Sequence, residues 1–70
     1  MIYFFLKDRR FLQCEVHPGR PHLFRMIEAE GVEHTEEYWS TVELGARCDS
    51  LCRGLIKQGW SGPFGRDSRV

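Results

Sequence analysis

Along the first half of the chain the apolar positions repeat every two residues, and along the second half every three or four. Ile2, Tyr3, Phe4, Phe5 and Leu6 run without a polar break. In an extended strand they divide by parity, with Ile2, Phe4 and Leu6 on one face and Tyr3 and Phe5 on the other. Asp8-Arg9-Arg10 reads as a tight polar connection. Phe11 to His17 reads as a second strand, Leu12, Cys14 and Val16 alternating with Gln13, Glu15 and His17. Pro18-Gly19-Arg20-Pro21 is the strongest turn signal in the chain, because Pro presets one dihedral and Gly frees the next. His22 to Glu28 forms a third strand, but Leu23, Phe24, Met26 and Ile27 put apolar groups on both sides and leave its register open. Gly31 interrupts the chain, and Val32 to Tyr38 forms a weaker, more polar fourth strand.

The period then changes. Ser40-Thr41-Val42-Glu43 is a capping box, and Leu44, Cys48, Leu51, Cys52 and Leu55 follow at helical spacing. Glu43–Arg47 and Asp49–Arg53 are i,i+4 pairs with the acid first, each worth about 0.2–0.5 kcal/mol. Gly59 suits the left-handed position past the helix end, and Trp60 follows it where it can fold back onto the last turn. Residues 61–70 are rich in turn formers and charge. They read as a tail, partly mobile, with Phe64 its one group suited to docking.

These elements predict an α+β fold: an antiparallel meander of three to four strands over residues 1–60, with one C-terminal α-helix packed on one face. Consecutive strands joined by short connections are usually neighbours. The expected core sets Ile2, Phe4, Leu6, Leu12, Cys14 and Val16 against Leu44, Cys48, Leu51, Leu55 and Ile56 of the helix. One helix seals only one face of a sheet. Tyr3, Phe5 and Phe11 are therefore expected on the uncovered outer face, available to a partner.

A chain of 70 residues makes one domain, and a core of that size leaves about 3–5 kcal/mol of net stability. At 41% hydrophobic and 29% charged residues the composition is that of a folded chain rather than a disordered one. Net charge is zero but unevenly spread: +3 over residues 1–27, −6 over residues 28–45 and +3 over residues 46–70. A zero balance does not favour a dedicated nucleic-acid binder. The apolar run 2–6 is too short for a signal core or a membrane span. Three cysteines, Cys14, Cys48 and Cys52, form an odd set, which points to a reduced cytoplasmic protein.

Candidate chemistry is sparse. His17 and His22 with Cys48 and Cys52 satisfy zinc-ligand spacings, but both cysteines fall on the apolar helix stripe, where a thiol behaves as a small hydrophobe. The core reading is preferred, and no metal or cofactor is assigned. His34 among Glu33, Glu36 and Glu37 has no pocket to make it a general base. The acidic run 28–37 suits a solvated edge strand; the basic first hairpin of a second copy is its other possible partner. No phosphate loop, nucleophile elbow or paired-cysteine motif is present, so no catalytic residue is assigned and no enzyme is expected. Two functions lead, with a small-molecule or metal-binding domain as a weaker third. The first is a non-catalytic interaction domain, homodimeric through Tyr3, Phe5 and Phe11, since aromatics are enriched at interface cores. The alternative is a small nucleic-acid-binding domain in which the same aromatics stack on bases and Lys7, Arg9 and Arg10 meet phosphates.

Overall fold

The computed structural model describes residues 1–65. Its elements are β1 (Ile2–Lys7), β2 (Arg10–His17), β3 (His22–Glu28), β4 (Glu33–Tyr38), α1 (Thr41–Lys57) and β5 (Ser61–Phe64). The fold is α+β: an antiparallel sheet in the order β4-β3-β2-β1-β5 with one helix on one face. The sheet has five strands, not three or four. The additional strand comes from the segment expected to be a tail: Phe64 pairs with Phe4 and Ser61 with Leu6, with a bulge between. The expected mobility of the last residues concerns 66–70, which lie outside the described residues.

A two-residue turn controls which side chains reach the core. Lys7 faces Arg10, so only Asp8 and Arg9 span the hairpin. Asp8 takes a left-handed φ of 54°, a conformation such turns demand and Asp tolerates. Tyr3 then lies opposite Cys14 and Phe5 opposite Leu12, and β3 continues the row with Met26 opposite Cys14 and Phe24 opposite Val16. The resulting core is Tyr3, Phe5, Cys14, Phe24, Met26, Leu44, Leu55 and Trp60. This corrects the expected facing of β1: Ile2, Phe4 and Leu6 point away from the helix. A three-residue connection would have paired even positions with even ones. Removing one residue from the turn flips every β1 side chain.

α1 leaves β4 at one edge and delivers β5 to the other. Its 17 residues rise about 25 Å, enough to cross the roughly 19 Å between the outermost of five strands. Leu44 and Leu55 are buried, and Cys48, Leu51 and Cys52 pack beside the core as expected. Ile56 is 48% exposed instead, because it lies just past the edge of that stripe. Ser40 caps the start, its Oγ accepting from the amides of Val42 at 3.2 Å and Glu43 at 3.3 Å. At the end, the Trp60 amide donates to Leu55 O and the Gly59 amide to Ile56 O, the two bonds of a Schellman cap.

Side-chain ties hold the helix to the sheet. Arg47 does not pair with Glu43; it donates through Nε and Nη2 to both carboxylate oxygens of Glu36 on β4, at 2.8 and 3.1 Å. Tyr38 and His34 also meet this carboxylate. The Arg47 bonds, ahead of those from Tyr38 and His34, bring the Glu36 pKa down to about 2. At the other end, Lys7 Nζ donates to Gln58 O at 2.5 Å.

Two expectations follow. Since Glu36 has a lower pKa folded than unfolded, its contribution is complete above about pH 4.5 and drains away as pH falls toward 2. Acid titration of the urea midpoint should show this loss. Glu36→Gln should cost about 1–3 kcal/mol at neutral pH and flatten that part of the profile. A Cβ at Gly62 would lie 2.8 Å from Phe5 Cδ2 and 2.9 Å from Phe4 O, at a φ of +139°. Gly62→Ala should therefore cost about 2–4 kcal/mol. Gly45→Ala, where nothing lies within 4 Å, should gain about 0.5–1 kcal/mol. Both are read from denaturation midpoints at constant slope.

Candidate functional site on the open sheet face

The register that buries Tyr3 and Phe5 assembles a different surface on the other side. Phe4 sits at its centre, half-buried. Its ring lies 5.4 Å from that of Phe11, its diagonal neighbour on β2, and 5.7 Å from that of Phe64, its partner on β5. Both pairs are tilted, a geometry in which aromatic pairs contribute about 0.5–1.5 kcal/mol beyond burial. Ile2 at 49% and Leu6 at 41% exposed flank the rings, and Phe64 is itself 42% exposed. No element of the described chain covers this face.

The other half of the face is polar. Glu15 is buried to 8% exposure although it points away from the helix. Its neighbours shield it: Gln13 Nε2 donates to it at 2.7 Å, His17 Nε2 lies at 2.8 Å and Arg25 Nη1 at 3.4 Å. Arg25 also forms an ion pair with Glu33 on β4. The bonds from His17 and Gln13 outweigh desolvation and hold the Glu15 carboxyl below its ordinary range. The open face thus has an aromatic half on β5, β1 and β2, and a hydrogen-bonded charged half on β2, β3 and β4.

Of the aromatics expected on the outer face, the structure puts only Phe11 there. Tyr3 and Phe5 form an edge-to-face pair at 5.9 Å beneath the helix, and Phe5 has no exposed surface. Phe4 and Phe64 take their places. The signal for Phe4 was the length of the first turn. The signal for Phe64 was an apolar residue just after a glycine-proline pair that can end a short edge strand.

The basic hairpin divides as well. Lys7 turns to the helix end, and Arg10 stacks on Trp60 with its Cζ 4.9 Å from the ring centroid. Both therefore sit on the helix side, across the sheet from Phe4 and Phe11. Arg9 stays in the turn, exposed. His17 and His22 are not brought to Cys48 and Cys52: His17 bonds Glu15 on the open face, whereas the cysteines lie between helix and sheet. Among the described residues no three His, Cys, Asp or Glu side chains converge as metal ligands. Burial pushes the Cys14 thiol up to about 12 and raises Cys48, so neither is an activated nucleophile. No helix of the described residues is long and apolar enough to cross a membrane.

No protein-family model, curated protein or solved structure matches this chain. The site's chemistry therefore rests on its own geometry.

The polar half yields a direct test. Glu15→Gln should cost about 1–2 kcal/mol at neutral pH. That difference should shrink as pH falls below the ordinary carboxylate range and Glu15 itself takes a proton, as chemical denaturation across pH would show.

Proposed function

We propose that this domain is a small, non-catalytic interaction module that self-associates through its open sheet face. The observation that carries this reading is the Phe4–Phe11–Phe64 cluster flanked by exposed Ile2 and Leu6, a contiguous apolar patch on a face the chain leaves uncovered. Such a patch pairs with itself in a two-fold arrangement, the commonest in soluble oligomers. Zero net charge removes long-range repulsion between copies. The free thiols of Cys14, Cys48 and Cys52 fit a reducing, cytoplasmic setting. The acidic run is already partly matched within its own chain, through Glu33 with Arg25 and Glu36 with Arg47. Apolar contact, rather than exchange of acidic and basic segments, is therefore the proposed bond between copies. A nucleic-acid ligand on the same face has weaker support, since of the three hairpin cations only Arg9 is free of a helix-side contact.

Light scattering on a sizing column over a concentration series tests the reading. Wild type should run as a dimer. Leu6→Glu, at a position that is exposed in the monomer, should shift it to monomer by at least about 2 kcal/mol, roughly 30-fold in Kd. Phe11→Asp should act in the same direction, whereas Phe5→Asp should lose the fold itself. A wild-type monomer at the highest concentration, or a Leu6→Glu variant that remains dimeric, removes the proposal.

A further inference from the structure

A groove of about 330 Å³ opens on the helix side of the sheet, between α1 from Thr41 to Cys52 and the start of β1, the end of β2 and Pro63 of β5. Its lining includes Met1, Tyr3, Leu44, Cys48 and Cys52, so three of its side chains carry sulfur. Cys48 and Cys52 are four residues apart on one helix, which sets their Cβ atoms about 5–6 Å apart on the same face. Both thiols are free and half-buried. Cys14, the remaining cysteine, is fully buried in the sheet and does not line the groove.

This donor set is selective. A structural zinc ion takes four nitrogen, sulfur or oxygen ligands in a tetrahedron, and no group of three or more such side chains converges among the described residues. Monovalent copper needs less. It prefers thiolate and thioether sulfur, and two thiolates suffice to hold it. We propose that Cys48 and Cys52 form a site for monovalent copper in this groove, whose lining also includes Met1. Each thiol gives up its proton to solvent and forms one sulfur–copper bond. No electron is transferred, and two thiol protons are exchanged for one copper ion. Affinity therefore rises with pH, as for any metal that displaces protons from its ligands. The site is on the opposite side of the sheet from the self-association face and does not depend on it.

The test uses the full chain, reduced and free of oxygen, titrated into monovalent copper held by a colorimetric chelator. Wild type should withdraw an equimolar amount of copper and gain ultraviolet thiolate-to-copper absorption. Loss of even a second-shell partner weakens metal sites about 10–100-fold; Cys48→Ser and Cys52→Ser should each lose at least about tenfold, while Cys14→Ala retains uptake. Far-UV circular dichroism establishes that each variant is folded. If wild type leaves the copper with the chelator, or the Cys48→Ser/Cys52→Ser double variant still takes it up, the site does not exist. Equal affinity for divalent zinc in a parallel titration would overturn the assignment to a soft monovalent ion.

Discussion

Asp8 and Arg9 alone join the first two strands, and much of the structure depends on that count. Side chains alternate along a strand, so the number of residues in a hairpin turn decides which parity of each strand shares a face. With two residues in the turn, the odd positions of β1 meet the even positions of β2. Tyr3 and Phe5 join Cys14 under the helix, and Phe4 is left to meet Phe11 on the other side. β1 can accept either outcome because it is apolar on both faces. The turn makes the choice, and Asp8 can hold the left-handed backbone it requires.

Given that register, one helix has to seal the whole inner face, and its attachments explain how it does. Among the described residues it is the only link between opposite edges of the sheet. Glu36 and Arg47 fasten its first half to β4, while Lys7 fastens its end to β1. The Schellman turn at Gly59 drops Trp60 into the core and starts β5. Trp60 in turn provides the surface on which Arg10 lies. Two of the three hairpin cations, Lys7 and Arg10, thus lie against the helix end and Trp60, while Arg9 stays exposed in the turn.

The parts that could be read from the sequence are those set by local chemistry. The Pro18–Pro21 turn, the Ser40 cap, the stripe from Leu44 to Leu55 and the glycine stop at Gly59 each depend on residues within one or two turns, and the structure contains all of them. Face assignment in β2 was equally legible, because Gln13, Glu15 and His17 alternate with Leu12, Cys14 and Val16. Facing failed in β1, where no polar residue breaks the symmetry between Phe4 and Phe5. β5 escaped notice because its pairing is with a strand more than fifty residues earlier and its own sequence, Ser-Gly-Pro-Phe, carries turn chemistry. Arg47 likewise had a local acid at the right spacing, but a carboxylate on β4 offered two oxygens. The expected aromatic set inherited the β1 error: Phe11 lies on the outer face as read, whereas Tyr3 and Phe5 lie beneath the helix and Phe4 and Phe64 stand in their places.

The Phe4 cluster has a property that follows from its connectivity. Its three rings come from the first, second and last strands, so no continuous stretch of chain contains the surface. A chain synthesised only as far as the helix would hold Phe4 and Phe11 without Phe64. The complete patch exists only once the final strand has docked along β1. The three-ring surface is therefore a property of the fold with β5 docked along β1, not of any one segment, and opening that edge strand would take it apart without disturbing the Phe4–Phe11 pair.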